Sequence, residues 1–200
     1  MPRHTTITDK QILDAAREVF LTDGFGARTS DIAARAGVSE GSIFKRYPSK
    51  EALFFAALDI RHPPPWYSLV EPEHAIPDAK EHLRSLAIGI VNEFAEMIPR
   101  IIAVAGKRPF GPEHDPMRDM PDPPPLRDTN AVRAFLERLV AEGQIRPCDT
   151  LHVAQALLGS LSQYPMMAIL TRQELDRDSL RDFASDLVDL LWDGIAPARS

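Results

Sequence analysis

Between positions 39 and 50 the chain sets short hydroxyls beside long cations: Ser39, Ser42, Lys45, Arg46, then Ser49 and Lys50. Side chains of these two kinds hydrogen-bond to base edges and to phosphate oxygens, the first reading sequence and the second fixing position. The chemistry they point to is binding to an anionic polymer rather than making or breaking bonds. Ser49-Lys50-Glu51 opens a further helical pattern, and the N–H groups of a helix N-terminus beside an ammonium form a phosphate clamp. Catalytic patterns are absent: there is no G-x-S-x-G elbow, no phosphate-cradling glycine-rich loop and no H-E-x-x-H.

Groups of this kind bind only if something holds them at a fixed tilt. Asp31 to Tyr47 has the pattern to do so. Two short helices that cross steeply need a small residue at the contact, which Ala33 supplies. The turn between them needs a residue tolerant of positive φ, which Gly37 supplies. Val38 and Ile43 are spaced to point back onto the preceding helix, and Ser39 is placed to cap the second one. This is the helix-turn-helix pattern. Its second helix, about 40–46, is apolar on one side and shows Ser42, Lys45 and Arg46 on the other, a face that suits a major groove.

The rest of the chain reads as helix. Thr8-Asp9-Lys10-Gln11 has capping-box spacing, Ile12, Ala15, Ala16, Val19 and Phe20 form one face, and Gly24 closes the segment. Further segments fall at 30–36, 50–61, 78–98, 129–142, 150–170 and 180–192. Pro63-Pro64-Pro65 breaks the chain, and seven prolines between Pro109 and Pro125 predict a long loop with no regular helix. Pro165 predicts a kink in its helix. No alternating strand pattern occurs. The expectation is an all-α protein of about nine helices.

Composition sets outer limits. The chain has 200 residues, 44% of them apolar, which excludes a disordered chain. Net charge is −6, yet residues 1–60 balance eight basic against eight acidic side chains, and 24–50 carry five basic against two acidic. The acidity lies in 61–200, and a basic island lies near the N-terminus. Cys148 is the one cysteine, so no internal disulfide forms. With no 20-residue apolar run and no signal-peptide core, the expected location is the cytoplasm.

From Ile12 to Leu58 the sequence resembles the TetR family of transcriptional regulators. The resemblance rests on Ile12-Leu13-Asp14-Ala15-Ala16, Phe20, Gly24-Phe25, Asp31 to Ser39, Gly41-Ser42, Tyr47-Pro48-Ser49-Lys50-Glu51 and Leu53-Phe54. It implies a DNA-binding domain at 1–52, a helical ligand-binding and dimerising domain at 53–200, and a homodimer on a two-fold double-stranded DNA operator. Such proteins usually repress and are released by a small molecule. No catalytic residue, metal or cofactor is implied. The DNA-facing set is then Arg28, Thr29, Ser30, Ser39, Gly41, Ser42, Lys45, Arg46, Tyr47 and Lys50. Two departures stand out. Phe44 occupies a position where the family commonly has a tyrosine whose hydroxyl meets a phosphate, so Tyr47 inherits part of that role. The stretch from Gly24 to Ile32 is one residue shorter than is common, leaving Thr29 and Ser30 to compete as cap of the second helix.

In the C-terminal part Leu157, Leu158 and Leu161, and Leu180, Phe183, Leu187 and Leu191, repeat at helical spacing. They bury either within the monomer or, as the resemblance implies, in an intersubunit four-helix bundle. Phe94, Met97, Ile98, Ile101, Phe110, Met117, Met120, Tyr164, Met166 and Met167 cluster around the proline-rich loop and two core helices. Adaptable methionines suit a largely apolar effector, with Gln163 and Tyr164 to orient a polar group. Core packing is the competing account of each. His114 between Glu113 and Asp115 is read as solvated loop, and Cys148 beside Asp149 as an inert thiol.

Overall fold

The computed structural model describes residues 8–60, 63–72, 76–105, 115–118 and 120–195. Among these there are eight α-helices, one 3-10 helix and no strand. The helices are α1 (Asp9–Asp23), α2 (Thr29–Ala36), α3 (Glu40–Phe44), α4 (Lys50–Ala57), α5 (Ala79–Ala105), α6 (Pro124–Ala141), α7 (Thr150–Thr171) and α8 (Arg177–Ile195), with the 3-10 turn at Pro65–Leu69. The chain divides into two compact units, Met1–His62 with Arg100–Pro121, and Pro63–Pro99 with Asp122–Ser200.

The first unit is built by its caps and a phenylalanine cluster. Thr8 and Gln11 close the capping box that starts α1. The stripe Ile12, Ala15, Ala16, Val19 and Phe20 is buried. Phe54 of α4 meets Phe20 and Phe25 edge-on, each at 5.1 Å between ring centroids. Val104, on the last turn of α5, is fully buried in the same core. The C-terminal carbonyls of α4 receive cations: Arg17 Nε donates to Ala57 at 2.7 Å, and Arg100 donates to Leu58 and Asp59 at 3.3 and 2.8 Å.

The second unit is a larger helical core. Leu83, Leu86, Ile90 and Val91 of α5 pack with Val132, Phe135, Leu136 and Leu139 of α6, Leu157 and Leu161 of α7, and Ala184 and Val188 of α8. The 3-10 turn closes one side of it, with Trp66 3% exposed. A side chain at Gly89 would sit 3.0 Å from the Trp66 Cβ, so the glycine is what lets that turn lie against α5. Tyr67 donates to Asp128 at 2.7 Å, and burial pushes the titration of both groups up. On the surface Arg84 bridges Glu81 and Asp189, and Lys80 joins the same aspartate at 2.7 Å.

Several boundaries differ from the sequence expectation. α6 begins at Pro124, inside the expected loop, because proline is tolerated in the first helical turn where its missing N–H has no acceptor to serve. α5 continues through Pro99 to Ala105 rather than ending near residue 98. α7 agrees with the expected 150–170 to within one residue, running through a buried Pro165 to Thr171. α4 stops at Ala57 rather than 61. The first compact unit reaches residue 62 and takes in 100–121, so α4 belongs to it entirely, where a boundary after 52 was expected. The reason is physical: Leu53, Phe54, Ala57 and Leu58 are buried in the N-terminal core.

Candidate nucleic-acid interface

The turn between α2 and α3 has the geometry its residues imply. Gly37 adopts φ +69°, ψ +33°, and its N–H and that of Val38 return to the last carbonyls of α2, the latter at 3.0 Å on Ala33. Ala33 is 4% exposed and Ile43 fully buried, which fixes the rotation of α3 about its axis. Ser39 caps α3 by accepting from the Ser42 N–H at 3.2 Å, and the two hydroxyls lie 2.9 Å apart. With Ile43 held inward, Glu40, Gly41, Phe44, Lys45 and Arg46 are exposed and Ser42 half-buried.

The flanking residues take distinct positions. Arg28 is the exposed cap residue of α2, and its side chain makes no capping bond. Neither Thr29 nor Ser30 caps the helix: both are already inside its first turn, half-buried and exposed respectively. The cap position fell to Arg28 because the helix begins one residue earlier than the hydroxyl pair required. Ser49 caps α4 through the Ala52 N–H at 3.1 Å. The Lys50 ammonium lies 4.6 Å from the centre of the Phe25 ring, and partial burial holds its pKa below the ordinary lysine value. It is thus a positioned cation rather than a freely swinging one.

Arg46 and Tyr47 depart most from expectation. Arg46 lies past the end of α3, with Nε 2.8 Å from Asp9 and Nη1 3.4 Å from the Ser42 carbonyl. Tyr47 is half-buried and packs on the N-terminal core. Its hydroxyl is pushed up first by burial and then by the Asp9 charge. Asp9 was not among the residues expected on this face. The signal was present, since the capping box at Thr8 sets Asp9 at the start of α1, but the proximity of that start to the end of α3 is tertiary. An exposed ion pair of this kind contributes only about 0.2–1 kcal/mol.

The residues expected to line an effector site are divided between the two units. Ile101, Met117 and Met120 belong to the first unit, and Phe94, Met97, Ile98, Gln163, Tyr164 and Met167 to the second. Phe94 and Tyr164 pack on the second core, Tyr164 stacked on Phe183 at 4.0 Å between centroids. Met97 is half-buried, Ile98 buried, and Gln163 and Met167 exposed. Phe110 lies outside the described residues, as do Glu113 and His114. Met120 lines a cavity of about 610 Å³ beside α4, with Ala52, Phe55, Ala56 and Ile60. In the second unit a cavity of about 340 Å³ lies between α5 and the α7–α8 turn, with Asn92, Ala95, Glu96, Gln173, Leu175 and Arg177 in its lining. None of the expected residues lines this second cavity.

The leucine stripes of the C-terminal helices are largely internal. Leu157, Leu158, Leu161 and Leu180 are buried in the second core, and Phe183, Leu187 and Leu191 are half-buried against it. Met167, Leu170 and Leu190 are exposed instead. Burial raises the titration of the Cys148 thiol, partly opposed by the Arg146 charge and aided by that of Asp149, which keeps thiolate scarce. Among the described residues no three histidine, cysteine or carboxylate side chains converge as for a metal, and no helix is long and apolar enough to cross a membrane.

Comparison with known proteins bears on this geometry. Residues 12–57 match the family model for bacterial regulatory proteins of the tetR family. An uncharacterized HTH-type transcriptional regulator, YvkB of Bacillus subtilis, is 42% identical over 52 residues, which is 26% of this chain and 28% of that protein's length. The TetR transcriptional regulator SCO0520 of Streptomyces coelicolor superposes over 96% of this chain and 100% of its own, at 26% identity and a TM-score of 0.51. The SmeT–triclosan complex shares the fold over 94% of this chain and 90% of its own, at 19% identity and a TM-score of 0.66. With the glycine turn, the buried Ile43 and the exposed cationic edge of α3, these matches mean that residues 12–57 form a domain of the tetR family of bacterial regulatory proteins.

Proposed function

We propose that this chain is a ligand-responsive transcriptional repressor that binds a two-fold DNA operator as a homodimer. The observation that carries the reading is the orientation of α3. One residue, Ile43, is fully buried and pins the helix, while Lys45 and Arg46 remain exposed at its end. A short rod held this way enters a major groove, and a dimer presents two of them to successive turns of the duplex. Lys50, Lys45 and Arg46 supply phosphate attraction, with Arg46 exchanging Asp9 for the backbone.

The dimer is best served by the outward faces of α7 and α8. Met167 and Leu170 are one turn apart on α7, and with Leu190 of α8 they are large apolar side chains left to solvent, which a second copy would cover. For the effector, the cavity beside α5 has mixed walls, so its ligand is a small molecule with an apolar body and a polar end. Coupling would run along α5 itself: Asn92 to Pro99 edge the cavity, and the next turn places Arg100 on the α4 carbonyls and Val104 in the N-terminal core. A useful switch needs only a few kcal/mol of differential affinity.

The test is selection of duplexes from a randomised DNA pool, followed by gel shifts with the selected sequence. Wild type should bind with strong salt dependence and the Lys45→Ala, Arg46→Ala double variant should lose at least tenfold in affinity. Equal binding by the two proteins removes α3 from the interface.

A further inference from the structure

Phe44 is chemically foreign to the surface it occupies. It is the last residue of α3 and 41% exposed, and no other large apolar side chain among the described residues of the first unit is exposed. The buried Ile43 next to it sets the helix rotation and turns position 44 outward. The ring is not among the side chains packed on the N-terminal core, although its neighbours Val38 and Tyr47 are. Gly41, three residues earlier, lies on the same side of the helix. The space where its side chain would be is open except for the Ser39 hydroxyl at 3.9 Å. Lys45 and Arg46 follow directly in the chain.

A phenyl ring adds nothing to phosphate attraction and offers no hydrogen bond to a base edge. Left in water it forgoes the burial its area would provide. In a major groove one base carries an apolar group that such a ring can cover, the 5-methyl of thymine. We infer that Phe44 is a specificity-determining residue whose ring covers a thymine 5-methyl group, with Gly41 leaving room for the base edge to approach α3. The inference rests on the groove docking proposed above and goes beyond it by naming the base and the atom that are read. Lys45 and Arg46 then hold the backbone, and the T·A pair is distinguished from C·G by the methyl.

The experiment uses the 200-residue chain and a duplex it selects from a randomised pool, resynthesised with each thymine in turn replaced by uracil, which lacks only that methyl. Binding is followed by fluorescence anisotropy at one fixed salt concentration. At one thymine in each half of the site, uracil should weaken wild type about three- to fivefold, the value of one buried methyl. Phe44→Ala should bind the two duplexes equally, and Phe44→Leu should keep part of the difference. Circular dichroism melting should show both variants folded, since the ring is not one of the buried residues of the N-terminal core. If uracil is without effect everywhere, or its effect is the same in Phe44→Ala, the assignment of Phe44 is overturned while groove docking stands. If wild type enriches no sequence at all, the docking itself fails and the assignment falls with it.

Discussion

The two compact units leave opposite kinds of side chain on their surfaces. In the first, the face around α3 is made of hydroxyls and cations, and Phe44 is its one exposed large apolar group among the described residues. In the second, Leu126, Met167, Leu170 and Leu190 are exposed, between 43% and 76% of their area. Each unit has its own buried core, and these exposed groups lie outside it. The difference points to two partners: a hydrated polyanion for the first surface, and a desolvating apolar surface for the second.

That contrast can be broken at several points. The largest effect should follow from the N-terminal core. Phe54→Ala empties the centre of the phenylalanine cluster and should cost about 3–5 kcal/mol. Trp66 and Trp192 both lie in the second unit. Tryptophan fluorescence should therefore keep its urea midpoint while circular dichroism shows an earlier transition. Coincident shifts would make the two units one cooperative block.

Next come the apolar faces. Leu170→Asp with Leu190→Asp should abolish the proposed dimer in sedimentation and lower DNA affinity more than tenfold, without moving the melting temperature of the second core by much. A monomeric wild type would cancel the contrast between the surfaces. Gly37→Ala should cost about 1–2 kcal/mol, because φ +69° is strained for any residue with a Cβ. Urea denaturation measures it, and an unchanged midpoint would show that the turn can relax.

The two smallest effects are electrostatic. Lys50→Ala should weaken binding to all sequences alike and reduce the slope of log affinity against log salt by about 0.9, one phosphate contact. A sequence-selective loss would instead make Lys50 a base reader. Asp149 caps α7, and the His152 N–H at 3.0 Å holds its carboxyl below the usual carboxylate range. A lowered pKa contributes stability that is complete above the ordinary carboxylate value and is lost as pH falls through the lowered one. The deficit of Asp149→Ala should therefore be constant near neutrality and shrink toward acid in melting curves. A deficit independent of pH would assign the effect to helix propensity.

The units also differ in how far their sequences disclosed them. In the first, each motif residue acts on a neighbour a few positions away: Thr8 on Gln11, Gly37 on Ala33 and Ala34, Ser39 on Ser42. Local rules of capping and turn geometry suffice for that. The leucine stripes of α7 and α8 carry no such information about which partner they meet. Leu157 and Leu161 are equally apolar whether they face a neighbouring helix or a second copy, and in the structure they lie in the core of their own unit.

The sequence by itself determined the helical class, the helix-turn-helix and its glycine turn, and the basic island that faces outward, because these follow from backbone preference and short-range periodicity. Tertiary structure alone decided that Asp9 reaches Arg46, that Lys50 rests on Phe25, that Phe44 stands clear of its core, and that the cavity beside α5 is edged by Asn92 and Arg177 rather than by methionines. Those outcomes depend on which faces of separate helices fill one another's volume. Close packing settles that for all of the helices together, and no local pattern encodes it.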